Sequence, residues 1–444
     1  MIEGLNSALR KSLSELDPVT LHFLESCVSC GLCTPHCPYV NAGVEYEPVN
    51  KAEELRKIVR KRITAAGYVL GSIVGAGYPK SEEDLKRMSY MAYRCVNCRN
   101  CYSTCPFGIY SGELIRILRG FLTTLRRAPS ILRRLAELEG KDLSSVGSLN
   151  ELWNGFLKEA GKSLGRSLPM DKEGTEFLYL PSITEILLTP DAVISTIRIL
   201  DMMGEDWTIP SKPLGFEFSV GTFIGDRDAE KLTLAKVDSY VKGIKAKRVI
   251  LTHGGTPYEE LRFLMPSILG EKQVFSVIHI TEYLYDLYLK GKVKIEGHDG
   301  FKVTWHDPCK LRSAGVKKQP RELVKISASN YVELPKSQGV FSGCCGGGSG
   351  ISLLTDDLRK RIAELLGNDV GAEEWEDSFV MDLMTDYDKV LKVKSEEIKK
   401  SGAEIVVTAC PTCIYSINRG KELSGGTFRA VHIVHYLFDK LIIS

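Results

Sequence analysis

The thirteen cysteines of this 444-residue chain fall into three groups, and this grouping limits what the chain can be. Two groups repeat one spacing, C-x2-C-x2-C-x3-C followed by proline; they are Cys27, Cys30, Cys33 and Cys37, and Cys95, Cys98, Cys101 and Cys105. The third group lies far downstream as a lone cysteine, an adjacent pair and a C-x2-C; its members are Cys309, Cys344, Cys345, Cys410 and Cys413. Thiolates are soft metal ligands. The sequence therefore predicts a redox protein with three iron–sulfide sites.

The doubled run is the spacing of bacterial two-cluster ferredoxins, in which the fourth cysteine ligates the other cluster. We therefore expect two [4Fe–4S] cubane clusters with exchanged fourth ligands. The expected ligand sets are Cys27, Cys30, Cys33 and Cys105 for one cluster, and Cys95, Cys98, Cys101 and Cys37 for the other. Zinc fits this spacing less well, because structural zinc sites use paired knuckles.

Charge and hydropathy limit which binding partners and which cellular compartment the sequence predicts. A formal charge of +2 gives no general case for nucleic-acid binding, and no apolar run of 18 residues predicts a transmembrane segment. The N-terminus lacks the basic-then-apolar order of a signal peptide. Because metal-spaced cysteines without a secretory signal suit a reducing compartment, we expect the chain in the cytoplasm.

From residue 176 onward the chain reads as two copies of one unit. Residues 249–257 lie over 405–413, and residues 277–286 lie over 430–439, which aligns His279 with His432. Each copy reads as strand, loop, helices, strand, loop and helix, which is typical of a small α/β domain with its loops at the strand ends. Since both copies carry the aligned histidines, we expect His279 and His432 to be structural.

The cysteines of the second copy have no counterpart in the first copy. The overlay puts Cys309 over Ser182, Cys410 over Gly254 and Cys413 over Pro257. Only the second copy can then hold a thiolate-bound centre, and the first is expected to cover one side of it. The second copy also has extra length within residues 353–399, which is rich in charge and predicts a surface insertion.

A basic stretch over residues 115–139 joins the two halves. It carries six arginines and has helical periodicity. One interpretation is a solvated helix face that links domains. The other is a dock for an acidic partner or an anionic membrane surface.

Glycines surround the adjacent pair Cys344–Cys345, with Gly343 before it and three glycines after it. Such backbone can bend closely around a bulky group. Five cysteines exceed the four that a cubane needs, and a zinc ion on four of them remains an alternative.

These downstream motifs resemble a known family. The motifs are His306-Asp307-Pro308-Cys309, Gln319-Pro320-Arg321, Gly343-Cys344-Cys345-Gly346 and Cys410-Pro411-Thr412-Cys413. They are similar to the cysteine-rich CCG domain of heterodisulfide reductase catalytic subunits and of iron–sulfur subunits of glycerol-3-phosphate and lactate dehydrogenases. The whole layout is similar to the fused catalytic subunit of membrane-linked heterodisulfide reductases and to the related subunit of the sulfate-reduction membrane complex. This resemblance implies a third, noncubane [4Fe–4S] cluster on Cys309, Cys344, Cys345, Cys410 and Cys413.

The resemblance and the repeat together predict a multidomain α+β and α/β protein. We expect a helical bis-[4Fe–4S] ferredoxin-like domain at residues 1–125 and a basic helical linker at 126–175. Two tandem α/β domains of CCG type follow, a degenerate one without cysteines at 176–300 and one with the five-cysteine site at 301–444. Methanogen heterodisulfide reductases resemble a two-centre design, and the first copy here departs from it by lacking all five cysteines.

The implied function is that of a heterodisulfide reductase-like oxidoreductase subunit. Electrons would pass through two cubanes to or from the CCG centre, which acts on a thiol/disulfide couple. His306 is the candidate proton donor because it lies three residues before Cys309; the alternative is a histidine hydrogen-bonded in a strand-end turn. An alternative function is electron relay in a quinone-linked glycerol-3-phosphate or lactate dehydrogenase.

A redox partner subunit is implied in either case, because the chain has no flavin or nicotinamide fingerprint. A membrane cytochrome b or a flavoprotein is expected. Such a partner could hold this cytoplasmic chain at the membrane.

Overall fold

Helices make up the N-terminal part of the chain, where apolar residues recur at helical spacing and strand signals are absent. The computed structural model describes residues 2–297, 300–336, 342–368 and 370–443. The helices before the first strand are α1 (Leu5–Ser14), α2 (Pro18–Glu25), α3 (Pro48–Ile63), α4 (Ala65–Leu70), α5 (Glu82–Tyr93), α6 (Asn100–Thr104), α7 (Ser111–Thr124), α8 (Ser130–Gly140) and α9 (Gly147–Leu164).

Helix α7 is the centre of this helical region. It packs against α1, α3 and α5, and its residues Leu114, Ile117 and Phe121 are fully buried. Local signals fix the neighbouring helix starts, because Thr64 accepts a hydrogen bond from the Gly67 N–H and Ser81 accepts one from the Asp84 N–H.

The interpretation of the basic stretch as a solvated helix face is wrong for its first two arginines. Arg116 and Arg119 are buried at 4% and 3% exposure. Arg119 donates hydrogen bonds to the carbonyl oxygens of Ala92, Cys95 and Phe223, and Arg116 pairs with Glu15 at 2.7 Å. These guanidinium groups therefore join parts of the fold, while Arg126 remains exposed.

Two parallel four-stranded sheets follow. The first has the order β2-β1-β3-β4 and the second the order β7-β6-β8-β9. The strands of the first unit are β1 (Phe177–Tyr179), β2 (Trp207–Thr208), β3 (Arg248–Leu251), β4 (Ser276–His279) and β5 (Val293–Ile295). Those of the second are β6 (Lys302–Trp305), β7 (Asn330–Tyr331), β8 (Ile405–Thr408), β9 (Arg429–His432) and β10 (Leu441–Ile443). The same strand order in both sheets agrees with the duplication read from the sequence, and the mixed α+β and α/β class is confirmed.

Helices connect the parallel strands in both units, as crossover connections require. The first unit contains α10 (Ile183–Leu188), α11 (Pro190–Met202), α12 (Val220–Ile224), α13 (Arg227–Ile244), α14 (Thr256–Glu259), α15 (Met265–Leu269) and α16 (Ile280–Leu289). The second contains α17 (Cys309–Ser313), α18 (Lys318–Ser327), α19 (Asp356–Leu365), α20 (Glu376–Ser401), α21 (Pro411–Ser424) and α22 (Ile433–Phe438). Strands β5 and β10 pair antiparallel and tie the chain's end to the first unit.

The strand register corrects the sequence overlay by one residue. Leu251 pairs with His279 in the first sheet, and Thr408 pairs with His432 in the second. With the two histidines aligned, Thr408 therefore corresponds to Leu251, and Cys410 corresponds to His253 instead of Gly254. In the same way Tyr179 pairs with Ile250, and Trp305 pairs with Val407. Cys309 then corresponds to Ile183 instead of Ser182.

The predicted surface insertion of the second unit is also wrong. Its main part is the 26-residue helix α20, which packs against α21 and against the 3-10 turn Pro38–Asn41 of the N-terminal region. Phe379, Leu383 and Tyr387 on this helix are buried at 1% exposure or less. The many charged residues of the segment concealed this apolar stripe in the sequence.

An ion pair joins α20 to the N-terminal region. The Arg94 Nε lies 2.6 Å from the Asp386 Oδ2, and the two side chains are only 1% and 10% exposed. The Arg94 guanidinium also lies over the rings of Tyr46 and Tyr90. Removing one partner of such a buried pair leaves the other charge desolvated without compensation.

We expect Asp386→Ala to lower the free energy of unfolding by about 3 to 5 kcal/mol, because Arg94 loses its buried counter-ion. Guanidinium unfolding of the anaerobically purified protein measures this. Asp388→Ala is the matched control on the same helix: its pair with Arg419 is 26% and 29% exposed, so its loss should cost less than about 1 kcal/mol. An equal loss of unfolding free energy in the two variants would contradict a special contribution of the buried Arg94–Asp386 pair.

Two aligned histidines meet where the units join. The Nε2 atoms of His279 and His432 lie 3.0 and 3.2 Å from one acceptor, the carbonyl oxygen of Thr252. Each Nδ1 accepts a backbone N–H from the following helix start, at Thr281 and Val434. Both imidazoles are therefore neutral Nε2–H donors. Burial lowers the pKa of each to about 3, and the structural role predicted for both fits this geometry.

This pair makes stability fall in acid. The unfolded chain protonates each imidazole near pH 6.5, whereas the folded chain resists protonation until about pH 3. Stability present above pH 6.5 is therefore lost as the pH falls, by about 1.4 kcal/mol for each histidine at pH 5.5. Guanidinium unfolding at pH 7.5 and 5.5 measures the difference, and His279→Gln with His432→Gln should reduce it by about 3 kcal/mol. His22→Gln, on the exposed surface of α2, should leave it as in the unmodified protein.

No helix in the described ranges has the length and apolar character that crossing a bilayer requires.

Candidate iron–sulfur sites

The two repeated motifs fold into loops of the same shape. Ser29 and Asn97 stand at equivalent positions and have positive φ angles of 54° and 53°, and Gly31 and Arg99 repeat this with 74° and 62°. Left-handed backbone at three non-glycine residues is uncommon. The loops therefore curl tightly enough to turn three cysteines of each motif toward one pocket.

Site A consists of Cys27, Cys30, Cys33 and Cys105, which line one pocket together with Val28, Leu32 and Phe107. Burial raises the pKa of Cys33 to about 11, and the neighbouring Cys27, Cys105 and Cys30 thiols add to this rise. The structure thus brings Cys105 to the first motif, the grouping that the ferredoxin spacing predicts. Cys30 is the exposed member.

Site B consists of Cys37, Cys95, Cys98 and Cys101, which line a second pocket. Burial raises the pKa of Cys95, while the charges of Lys51 and Arg119 lower it. The Lys51 Nζ lies 3.3 Å from the Cys37 Sγ and 2.5 Å from the Arg94 carbonyl oxygen. Cys101 lines the pockets of both sites, so sites A and B are adjacent.

Site C consists of Cys309, Cys344, Cys345, Cys410 and Cys413, which line a third pocket. The Cys413 and Cys345 sulfurs lie 3.3 Å apart, and the Cys344 thiol contacts both Cys309 and Cys345. All thirteen cysteines belong to the described ranges, and each is free of a disulfide there. The five positions predicted from the sequence therefore converge on one place.

The backbone around site C has glycines at positions where close packing leaves no space for a side chain. Gly346 has φ +88°, and a Cβ on Gly347 would clash with the Ser416 hydroxyl. From the first unit, a Cβ on Gly255 would lie 3.3 Å from the Cys410 Sγ. Five thiols also exceed the four ligands of a zinc ion. The donor set and the glycine lining thus fit an iron–sulfide group.

His306 lies against site C. It is 1% exposed, and its ligand atom lies within 4.8 Å of those of Cys345 and Cys413. Burial lowers the pKa of His306, while its hydrogen bond with Cys345 raises it. Its Nδ1 finds no hydrogen-bond partner among the described residues. The proton-donor role of His306 remains a prediction.

The first unit contributes a histidine that the sequence reading missed. His253 lines site C, and its Nε2 lies 3.0 Å from the Glu217 Oε1. Its Nδ1 accepts the Gly255 N–H at 3.0 Å. Burial acts to lower the pKa of His253, but the charges of Glu217 and Cys410 outweigh it and raise the pKa to about 10. A correct alignment of the two units would have pointed to His253, because it places His253 at the position that Cys410 has in the second unit.

A buried cation beside Cys309 was also missed. Lys310 is 2% exposed and lines the pocket of site C. Its Nζ lies 2.5 Å from the Glu259 Oε2, and Arg99 pairs with the other oxygen of Glu259 at 2.7 Å. The sequence offered no signal for this pair beyond the position of Lys310 next to a cysteine.

Sites B and C touch. The Cys344 thiol contacts Cys98 and lowers the pKa of Cys98 to about 6. Arg312 spans the junction, donating to the Cys98 carbonyl oxygen at 3.2 Å and also to the Asn100 Oδ1 and the Ser342 carbonyl oxygen. The three sites therefore form a continuous series in the order A, B, C.

Comparison with known proteins agrees with this division. A model of the 4Fe-4S dicluster domain matches residues 23–109, which hold sites A and B. A model of the cysteine-rich CCG domain matches residues 303–373 and 379–418, within the unit that holds site C.

Three similar proteins are redox proteins. The chain is 25% identical over 422 residues to a subunit of the dihydromethanophenazine:CoB–CoM heterodisulfide reductase of Methanosarcina barkeri, covering 92% of this chain and 91% of that one. It is 23% identical over 383 residues to an iron-sulfur subunit of the Hdr-like menaquinol oxidoreductase of Archaeoglobus fulgidus, covering 76% and 68%. It is 24% identical over 432 residues to EtfAB:quinone oxidoreductase of Syntrophomonas wolfei, covering 89% and 55%.

The chain contains a 4Fe-4S dicluster domain and a cysteine-rich CCG domain, and it is similar to heterodisulfide reductase and Hdr-like iron–sulfur subunits. Its dicluster domain is of the [4Fe–4S] type and its CCG unit provides a further iron–sulfur centre. The adjacency of sites B and C suits electron relay through such centres. Arg312 donates hydrogen bonds to the Cys98 carbonyl oxygen on one side of their junction and to the Ser342 carbonyl oxygen on the other.

Arg312→Gln should lower the reduction potential of the cluster beside Cys98, because a buried positive charge stabilises the more negative reduced state. At an effective dielectric constant of about 20 the shift is on the order of 50 to 100 mV. An electron paramagnetic resonance redox titration measures it. Arg312→Lys keeps the charge and should keep the potential; a shift of the same size in both variants would mean that the hydrogen-bond geometry, not the charge, sets it.

Proposed function

We propose that this protein is the catalytic iron–sulfur subunit of a complex that exchanges electrons between a redox partner and a thiol/disulfide couple at site C. The observation that supports this most is the contact between Cys98 and Cys344, because it joins a ferredoxin-type pair of sites to a five-thiol pocket. The similar Methanosarcina barkeri protein, which matches nearly the whole chain, belongs to an enzyme named for a disulfide substrate.

The proposed ligands follow the three pockets. Cys27, Cys30, Cys33 and Cys105 would hold one cubane cluster, and Cys95, Cys98, Cys101 and Cys37 the other. The five thiols of site C would hold the third, noncubane cluster. When bound there, such a cluster supplies one-electron chemistry at a sulfur atom.

The residues around site C would orient the substrate and manage protons. His306 is buried beside Cys345, where it could hold a proton for a departing thiolate. His253 and Glu217 form a buried ion pair that also lines the pocket, so the first unit's side of the pocket adds little net charge. Phe223, Val96 and Leu353 also line the pocket and would exclude water from it.

Electrons would enter at site A. Cys30 is exposed there, and Val28, Leu32 and Phe107 beside it are 63%, 56% and 45% exposed. Apolar side chains around an accessible ligand form a surface on which a redox partner can dock closely. A membrane cytochrome b or a flavoprotein would suit this role.

A second candidate function is electron relay to a quinone without a thiol substrate. The observation that favours it is burial, because Cys344, Cys345, Cys410 and Cys413 are all buried and only Cys309 is half-buried. Two similar proteins are named for menaquinol and quinone.

Cys345→Ser separates these functions. A thiol added to the oxidised wild-type protein should change the paramagnetic spectrum of the third centre, and Cys345→Ser should abolish this change because it removes a ligand of site C. Both ferredoxin signals should persist. Cys30→Ser, the same substitution at site A, is the control and should retain the thiol response.

Metal analysis of the same preparations gives a second readout. About twelve irons per chain fit three clusters, whereas about eight irons with one zinc would contradict the proposed site C. A spectrum that responds to no thiol, in protein with about twelve irons, would favour the relay.

A further inference from the structure

A short segment that begins at the last residue of α3 has more exposed apolar side chains close together in sequence than other parts of the described chain. This segment, residues 63–73, comprises the end of α3, helix α4 and the start of the 3-10 turn Gly71–Val74, and we call it the finger. Its apolar side chains are largely exposed; they are Ile63 at 51%, Tyr68 at 72%, Val69 at 76%, Leu70 at 47% and Ile73 at 82%. Soluble surfaces rarely carry such side chains in one contiguous patch unless something covers them.

The base of the finger is packed while its tip is not. A Cβ on Gly67 would clash with the Arg60 carbonyl oxygen, so glycine allows α4 to fold back onto α3. The chain returns at Gly77, whose N–H donates to the Lys57 carbonyl oxygen at 3.0 Å. Gly71 and Gly75 turn it with φ angles of 54° and 66°. The fold therefore fixes the position of the finger without burying its apolar side chains.

Three cations that pair with no carboxylate of the described residues flank the finger in the sequence. Residues 55–80 contain six lysines and arginines and no aspartate or glutamate. Three of them, Arg56, Lys57 and Arg60, pair with glutamates of α3. The other three, Lys61, Arg62 and Lys80, take part in no salt bridge between described residues. The Lys61 Nζ lies 3.1 Å from the Tyr68 carbonyl oxygen and 5.6 Å from the centroid of its ring. At least one unpaired cation is thus held against the apolar side chains themselves.

We propose that the finger binds the surface of an anionic lipid bilayer. Tyr68, Val69 and Ile73 enter the boundary between head groups and acyl chains, and Lys61 and Arg62 contact the head groups. Apolar side chains next to basic ones are the combination that interfacial membrane segments use. The finger thereby brings this chain to the membrane directly, in addition to any partner subunit.

The small size and the charge of the finger favour a lipid surface over a protein. A specific protein interface buries roughly 800 Å² on each partner, and the finger offers only five exposed apolar side chains. A bilayer interface needs no complementary groove. Its negative potential also matches cations that have no protein counter-ion.

Vesicle flotation with the full-length, iron-loaded protein tests this proposal without requiring turnover. Phosphatidylcholine vesicles with 40% phosphatidylglycerol should bind several-fold more protein than pure phosphatidylcholine vesicles. The triple variant Tyr68→Ser, Val69→Ser and Ile73→Ser should reduce binding at least fivefold. Lys61→Gln with Arg62→Gln should remove most of the preference for the anionic vesicles.

A matched control uses the same substitution at exposed apolar residues elsewhere. Leu232, Val274 and Leu289 are 55%, 74% and 65% exposed, and their triple change to serine should leave vesicle binding intact. Unchanged iron content shows that each variant is folded. Absent vesicle binding in the wild type, or equal binding by the two triple variants, overturns the proposal. So does a finger variant that changes only the oligomeric state or the retention of a protein partner.

Discussion

Charge balance around buried thiols is the constraint on which this structure depends. Sites B and C bring nine cysteines into a small volume, and a thiolate or a thiolate-bound cluster that leaves water requires nearby positive charge. The chain supplies it with four buried cations: Lys51 and Arg119 at site B, Arg312 at the junction, and Lys310 at site C. Their exposures are between 2% and 3%. Each also hydrogen-bonds to protein oxygens, so the same groups that balance charge hold the loops in place.

The duplication explains why one thiol pocket needs two α/β units. In parallel sheets the loops at the carboxyl ends of the strands gather at one edge, and here the two edges face each other around Thr252, where His279 and His432 share one acceptor. The Gly254 N–H also donates to the Ala409 carbonyl oxygen at 2.6 Å. The first unit thus forms a wall of site C, and His253 occupies in it the place that Cys410 has in the other.

The cysteine spacing predicted much of this arrangement because metal-binding motifs are local in sequence. The crossed grouping of Cys105 with the first motif, the meeting of the five downstream cysteines and the paired sheets could all be anticipated from residues alone. What could not be anticipated depends on long-range contacts. Arg119 and α20 looked solvent-exposed because their charges dominate the sequence pattern, yet Arg119 bonds to three carbonyl oxygens and α20 covers the turn after Cys37. The sequence overlay of the two units was wrong by one residue. A repeat pattern does not show which residues of neighbouring strands pair, and that pairing is visible only in the folded structure.

The unequal burial of the five thiols of site C limits how a sulfur compound could reach it. Cys344, Cys345, Cys410 and Cys413 are enclosed by the glycine loop, α20 and α21, whereas Cys309 at the start of α17 is half-buried. Site B already lies against Cys344, so that side of the pocket is taken up by the electron path. An incoming thiol under the proposed function would therefore approach beside Cys309, where Lys310 holds a positive charge under the surface. The Lys310 ammonium group is paired with the Glu259 carboxylate, so most of its charge is balanced. Lys310 can therefore orient a polar group at the entrance, but the entrance does not attract anions in general.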